Sequence, residues 1–134
     1  MFTKLNHIGV AVKNLSDSVQ KLSNVFNKEF SHPEIVEEQK VKVCFVETGN
    51  MRVELLEPTA SDSPISKFLE KRGEGIHHTA YEVDDIEKEM TRLQQEGFTL
   101  LNDKPKKGAD NKWVCFLHPK GTNGVLVELC QTIT

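Results

Sequence analysis

Two histidines and two glutamates of this sequence recur at matched intervals and carry side chains that bind metal ions. His7 and His78 are 71 residues apart (78 − 7), and Glu54 and Glu128 are 74 residues apart (128 − 54). Two imidazole nitrogens and two carboxylates suit a divalent first-row ion such as zinc, cobalt, nickel, manganese or iron. With four protein ligands, an octahedral ion keeps two positions for water or substrate and acts as a Lewis acid.

The interval between the histidines belongs to a longer repeat. At the same offset, the VCF of residues 43–45 falls on the VCF of residues 114–116. The segment LNHIGVAVKNL of residues 5–15 likewise falls on IHHTAYEVDDI of residues 76–86. Matches that stay in register over this distance indicate a duplicated module.

An insertion explains the longer interval between the glutamates. VEL occurs at residues 53–55 and again at 127–129, so the second copy is three residues longer. The extra residues fit in KGTNG, residues 120–124, because glycine and asparagine allow the positive backbone angles of tight turns. A lone strand histidine or a solvated glutamate is usually structural, but equivalent positions in two copies related by a pseudo-twofold axis favour one shared metal site.

Each copy predicts the element order β-α-β-β-β. Strands over 5–12 and 76–83 precede amphipathic helices, in which apolar residues recur every three or four positions. The predicted N-caps are Ser16 for the first helix and Asp84 or Asp85 for the second. The apolar faces comprise Leu15, Val19, Leu22, Phe26 and Phe30 in the first helix, and Ile86, Met90 and Leu93, before Gly97, in the second.

We therefore expect an α+β fold in a single domain over 1–134. Two tandem βαβββ modules, at about 1–58 and 76–134, form one incomplete mixed β-barrel around a metal site. The linker at about 59–75 contains a short helix that buries Ile65, Phe68 and Leu69 and ends at Gly73 and Gly75. The later strands are predicted around 35–36, in VKVCFVE and in MRVELLE for module one, and around 99–101, in KWVCFLH and in GVLVELC for module two.

The remaining histidines and the cysteines lie outside the predicted ligand set. Adjacent residues of a strand point to opposite faces, so His77 points away from the site that contains His78. His32 and His118 are also interpreted as structural or surface residues. Cys44 and Cys115 are equivalent in the repeat and are predicted to pack among apolar neighbours. Cys130 has the parity of Glu128 and is predicted on the same face.

The composition argues against nucleic acid and membrane as partners. The formal net charge is −3 over 134 residues, which is close to balance. We find no apolar run long enough to span a membrane and no signal peptide. The three cysteines include no C-x-x-C pair, which disfavours a disulfide framework. We therefore expect a reducing, cytoplasmic compartment.

The paired modules, with histidine and glutamate at these positions, resemble the vicinal oxygen chelate (glyoxalase/bleomycin-resistance/dioxygenase) superfamily. Within it, the runs HIGVAV, VELLEP, SPISKFLEKRGEGIHH, EVDDIE and LHPKGTNGVLVEL are similar to the methylmalonyl-CoA epimerase family. The runs KFLEKRGEGIHH and HPKGTNGVLVEL are the specific part, and the resemblance spans nearly the whole chain. It implies an epimerase, an isomerase that interconverts (R)- and (S)-methylmalonyl-CoA through an enolate.

The resemblance also implies the cofactor and the assembly. His7, Glu54, His78 and Glu128 match the metal ligands of the family, which hold one divalent ion per chain: cobalt, zinc, nickel or manganese. An ion that chelates the carboxylate and thioester oxygens of the substrate stabilises the negative charge as it develops. A homodimer is expected.

Epimerisation through two bases needs an acid–base group on each side of the reacting carbon. Glu128 matches one such group of the family. The other is a glutamate that falls at Val43, and valine cannot transfer a proton. Two residues could replace it. Glu47 shares the strand face of Val43 but lies at the far end of the strand, and Glu54 is the other candidate, so the second base stays unassigned.

A CoA substrate carries phosphates, which lysines bind as point charges. Several lysines lie near the loop and turn that open the last strands of the second module. The predicted substrate-binding residues are Lys104, Lys106, Lys107, Lys112 and Lys120.

Three other functions use the same scaffold. A glyoxalase I-type lyase, like lactoylglutathione lyase, acts on a thiol hemithioacetal with the same four ligands. An extradiol-type dioxygenase needs only two histidines and one carboxylate around iron, so a fourth ligand disfavours it. A non-catalytic drug-binding or resistance protein generally lacks a complete ligand set, whereas this sequence has all four residues.

Overall fold

The computed structural model of the protein describes residues 1–134 and contains eight strands and three α-helices. Their order is β-α-β-β-β twice, with one helix between the two copies, which confirms the predicted α+β class and the two modules. The elements are β1 (Phe2–Ala11), α1 (Leu15–Phe26), β2 (Glu34–Val36), β3 (Val41–Glu47), β4 (Arg52–Pro58), α2 (Pro64–Arg72), β5 (Gly75–Val83), α3 (Ile86–Gln95), β6 (Lys106–Gly108), β7 (Lys112–Leu117) and β8 (Val127–Thr132).

The strands form a mixed sheet in the hydrogen-bonded order β2-β3-β4-β1-β5-β8-β7-β6. The chain divides into an N-terminal unit, His7–His77, and a C-terminal unit, Met1–Asn6 with His78–Thr134. Strand β1 therefore contributes to both units. Its first part lies in the C-terminal unit, where the Thr3 hydroxyl donates to the Glu82 carbonyl at 3.1 Å.

The N-terminal unit packs α1 against one face of β1, β3 and β4. Parallel pairing of β1 with β4 and antiparallel pairing of β3 with β4 place Cys44 opposite Leu55. Both side chains are buried, together with Val12 and Leu15. Each fully buried leucine contributes about 1.5–3 kcal/mol to stability.

Helix α1 begins at Leu15 because two side chains satisfy its first backbone N–H groups. Asn14 Oδ1 accepts from Asp17 N at 3.0 Å, and Glu57 Oε1 accepts from Leu15 N at 2.9 Å. The N-cap is therefore Asn14, and the prediction of Ser16 was wrong because Ser16 lies inside the first turn. The repeat carried the correct signal, since Asn14 is the equivalent of Asp85.

Helix α1 ends at Phe26, where the C-cap Asn27 takes the left-handed φ of 54°. The prediction that Phe30 continues the helix was therefore wrong. Phe30 follows the helix and packs against the same apolar cluster from the loop. The spacing of apolar residues continues past Asn27, but the helical conformation of the backbone ends there.

The C-terminal unit repeats this arrangement with α3. Asp85 Oδ1 accepts from Lys88 N at 3.1 Å, which confirms Asp85 as an N-cap. Gln131 Oε1 accepts from Ile86 N at 2.8 Å. Both acceptors fall at the repeat offsets from those of α1. The buried cluster beneath α3 comprises Val83, Ile86, Met90, Leu93, Cys115, Leu117 and Leu129.

A strand around 99–101 does not form, and this prediction was wrong. Only Leu100 makes a β-bridge, to Leu117, and strand β6 lies further on at Lys106–Gly108. The physical reason is Asn102, whose side-chain Oδ1 accepts from Phe116 N at 3.0 Å and replaces the backbone acceptor that a longer ladder needs. The equivalent residue of the first copy, Ser31, accepts from Phe45 N at 2.9 Å in the same way.

The linker helix and the inserted turn form where they were predicted. Helix α2 buries Ile65 and ends at Gly73, whose φ is 76°. The prediction that Phe68 and Leu69 are also buried was wrong, because both are only partly buried, and Gly75 begins β5 and does not end the helix. The turn KGTNG contains a short 3-10 segment, followed by positive φ at Asn123 (59°) and Gly124 (83°). No helix of the structure combines the length and apolar character needed to cross a membrane.

The assignment of the first N-cap predicts unequal effects of two substitutions. We expect Asn14→Ala to lower the free energy of unfolding by about 1 kcal/mol, because the N–H of Asp17 loses its acceptor. The control is Ser16→Ala, which we expect to change that free energy by less than about 0.5 kcal/mol. Urea unfolding measures both. Equal losses in the two variants would contradict the assignment.

Candidate metal centre

In the N-terminal unit, the register of two parallel strands sets His7 beside Glu54. His7 pairs with Arg52 and Gly9 pairs with Glu54, so these side chains share one face of the sheet. His7 Nε2 lies 3.7 Å from Glu54 Oε2. The opposite face carries Leu55 and packs against α1. His7 and Glu54 therefore lie on the face of the strands opposite α1.

In the C-terminal unit, β5 and β8 repeat the pairing with His78 and Glu128. Ala80 pairs with Glu128, the equivalent of the pairing of Gly9 with Glu54. His78 Nε2 lies 3.2 Å from Glu128 Oε1, and the side chains are only 3% and 7% exposed. The ring of Phe116 contacts His78 edge-on at 5.7 Å between centroids.

His7, Glu54 and His78 form a group whose chemistry fits a metal ion. Each residue offers one ligand atom, and the three atoms lie within 4.8 Å of one another. Glu128 adds a second carboxylate next to His78. Burial of carboxylates is costly unless a donor or a cation pairs with them. Two imidazole nitrogens with carboxylate oxygens on strands fit a divalent first-row ion.

The other histidines have structural contacts. His77 lies in the N-terminal unit, and its ring meets Phe68 of α2 edge-on at 5.0 Å. His118 caps the turn after β7, where its Nδ1 accepts from Lys120 N at 3.0 Å. His32 is exposed in the loop before β2. Adjacent residues of one strand thus have different roles, as the alternation of β5 predicts.

The three cysteines are buried and free. Burial raises the pKa of Cys44 to about 11, with a further contribution from the negative charge of Glu54. Burial likewise raises the pKa of Cys115 to about 11, and Glu128 adds to the shift. Both thiols therefore stay protonated near neutral pH. Their positions in the two buried apolar clusters confirm that they are packing residues. Cys130 shares the face of Glu128 in β8, as predicted.

The five predicted lysines lie on different surfaces of the C-terminal unit. Lys106 pairs with Val114, on the face of Glu128, and Lys112 has the same parity. Lys107 pairs with Trp113 on the α3 face, where Lys104 lines an open groove of about 780 Å³. Lys120 lies in the 3-10 turn after β7. The lysines with the orientation for a ligand near Glu128 are Lys106 and Lys112.

The strand face near Glu54 carries Val43 and Glu47, the two positions considered for the second base, together with Phe45 and Arg52, which the sequence did not single out. Val43 is 3% exposed and lies opposite Leu56, so this position is apolar. Glu47 lies opposite Arg52, and its Oε1 accepts from Arg52 Nε at 2.7 Å. Phe45 lies opposite Glu54, just as Phe116 lies opposite Glu128. The repeated VCF could have identified the two phenylalanines as equivalent residues of the site. Strand alternation could have placed Arg52, two residues before Glu54, on the same face.

Comparison with known proteins finds similarity along nearly the whole chain. The Glyoxalase/Bleomycin resistance protein/Dioxygenase superfamily matches residues 6–116. A mitochondrial methylmalonyl-CoA epimerase of Dictyostelium discoideum is 45% identical over 127 residues, which cover 94% of this chain and 76% of that protein. The ethylmalonyl-CoA/methylmalonyl-CoA epimerase of Cereibacter sphaeroides is 42% identical over 133 residues, which cover 98% and 99% of the two chains.

A solved structure extends the similarity to the fold. A variant of Streptomyces coelicolor methylmalonyl-CoA epimerase in complex with 2-nitronate-propionyl-CoA is 34% identical and has a TM-score of 0.94. The match covers 100% of this chain and 100% of that chain.

The contacts of the adjacent histidines predict opposite effects on metal content. We expect His78→Ala to lower metal affinity by at least about a hundredfold, because an imidazole ligand is lost. His77→Ala removes the contact with Phe68 instead and should leave metal content unchanged. Mass spectrometry of the purified variants gives the metal per chain. Loss of the ion from the His77 variant alone would contradict the assignment of His78.

Proposed function

The chain belongs to the Glyoxalase/Bleomycin resistance protein/Dioxygenase superfamily, and from that premise we propose that it is a metal-dependent methylmalonyl-CoA epimerase. It interconverts (R)- and (S)-methylmalonyl-CoA by removing the proton alpha to the thioester and returning one on the opposite face. The observation that carries this proposal is the whole-chain similarity to epimerases, at 42–45% identity. A structural relative is described with an acyl-CoA analogue bound.

His7, Glu54, His78 and Glu128 are the residues that would hold one divalent ion. The grouping of three of their ligand atoms supports this proposal, as does the equal strand register of the two His–Glu pairs. A bound ion would supply Lewis acidity, which favours the negative charge that develops on the thioester oxygen. Cobalt, zinc, nickel and manganese all accept this donor set.

Proton transfer is assigned to the two glutamates. Glu128 is the first acid–base group and Glu54 is the second, because each carboxylate lies on the polar face of its unit. Glu47 is a weaker candidate because the guanidinium of Arg52 holds its carboxylate. Val43 is apolar and contributes only to packing. Two carboxylates from different strands satisfy the need for acid–base groups at separate positions around one carbon.

The remaining proposals concern the CoA moiety, the assembly and the compartment. Lys106 and Lys112 have the orientation to meet the phosphates of CoA, and contacts of Lys104, Lys107 and Lys120 with these phosphates stay a prediction. A homodimer stays a prediction. The three free cysteines support a reducing compartment, and the cytoplasm stays the predicted one.

Solvent exchange tests the proposed reaction. We expect the protein, with about one ion per chain, to incorporate deuterium at the alpha carbon of methylmalonyl-CoA in heavy water, because the proton is removed during turnover. Ethylmalonyl-CoA is offered in parallel, since the name of one relative includes it. Turnover of a methylglyoxal–thiol adduct without exchange into either CoA thioester would contradict the proposal and favour a glyoxalase-type lyase.

The role of Glu128 as a base predicts a split between activity and metal binding. We expect Glu128→Gln to slow exchange by a factor on the order of 10² to 10⁴, the usual contribution of a general base. Metal content should fall much less, because the amide oxygen can still coordinate. Mass spectrometry and the exchange assay are run on the same preparation. Proportional losses would assign Glu128 as a ligand without a base function.

A further inference from the structure

Arg52 is a cation on the polar face of the N-terminal unit, beside the residues that would hold the ion. It pairs with His7 across β1 and β4 and stands two residues before Glu54 on the same strand. Partners in a parallel pair share a face, and so do residues two apart in a strand. The guanidinium therefore belongs to the same surface as both proposed ligands.

We propose that Arg52 binds the free carboxylate of the acyl group, and so selects malonyl-type thioesters and fixes the direction in which they bind. This inference rests on the proposed epimerase function and identifies which feature of the substrate this side of the site recognises. Arginine suits a carboxylate because its planar guanidinium donates two parallel N–H bonds.

Two neighbours hold the guanidinium in place. Glu47, opposite Arg52 in the ladder, accepts from Nε at 2.7 Å. The ring of Phe45 lies beneath the guanidinium, with 4.0 Å between Cζ and the ring centroid. The Arg52 side chain is 26% exposed and so stays accessible to a ligand.

Arg52 also breaks the symmetry of the duplicated site. At the offset of 74 that places Glu54 on Glu128, the residue equivalent to Arg52 is Leu126. Each copy supplies one histidine and one glutamate. These four ligands alone therefore do not distinguish between the two oxygens with which a substrate would chelate the ion. One of those oxygens belongs to an anionic carboxylate and the other to a neutral thioester. A single arginine on one copy provides the difference that distinguishes them.

The direction of the acyl group then follows. The carboxylate lies towards β4 and the thioester away from Arg52. Arg52 could instead bind a phosphate of CoA, because a phosphate is negatively charged like the acyl carboxylate. Malonyl-CoA and acetyl-CoA separate the two, because they differ only in the acyl carboxylate and carry the same phosphates.

The test compares dissociation constants of malonyl-CoA and acetyl-CoA by calorimetry, using protein of measured metal content. For Arg52→Gln we expect malonyl-CoA to bind about tenfold to a hundredfold more weakly, the range for a lost charge-assisted bond. Acetyl-CoA binding should change less than about twofold. Arg52→Lys, which keeps the charge, should recover part of the affinity for malonyl-CoA. Metal content should match wild type in both variants.

Lys42→Gln is the matched control. It removes one positive charge from β3, but Lys42 has the parity of Cys44 and so lies on the α1 face. Both affinities should match wild type in this variant. Equal weakening of the two thioesters by Arg52→Gln, or weakening of neither, would overturn the inference and leave the proposed function intact. A wild-type protein that binds neither thioester and exchanges no alpha proton would overturn the proposed function itself.

Discussion

The parallel pairing of β1 with β4, and of β5 with β8, is the constraint on which the site depends. In both pairs a small residue lies beside the glutamate, and the histidine stands two residues earlier on the same face. A slip of one residue would turn Glu54 and Glu128 towards the helices and bring Leu55 and Leu129 to the polar face. Core packing and site chemistry are therefore fixed by the same register, once in each module.

Polar side chains at equivalent positions hold each helix and loop against its sheet. They satisfy backbone N–H groups that the strands and helices leave without a partner. Because these acceptors recur at the repeat offsets, the duplication extends beyond the apolar pattern to the ends of the elements. The equivalent pairs are Asn14 and Asp85, Glu57 and Gln131, and Ser31 and Asn102.

A duplicated scaffold also has to act on a substrate whose two ends differ. The equal registers of β1 with β4 and of β5 with β8 place the histidines and glutamates in matched pairs. The differences between the copies supply the asymmetry, and Arg52 against Leu126 is one change that alters charge on the polar strand face. On the opposite face, burial raises the pKa of Cys44 and of Cys115 to about 11, so both thiols stay protonated near neutral pH.

The sequence by itself determined the two modules, their element order and the four residues at equivalent positions, because strand periodicity and a repeat at constant offset are local signals. It did not determine where ladders end. Asn102 stopped a strand that the apolar pattern predicted, and Asn27 ended a helix before Phe30. It also did not select Arg52, since the role of that residue depends on its cross-strand neighbours Glu47 and Phe45. Cross-strand contacts decide the end of the ladder and the role of Arg52, and the left-handed backbone of Asn27 decides the end of α1. The spacing of apolar residues records none of these.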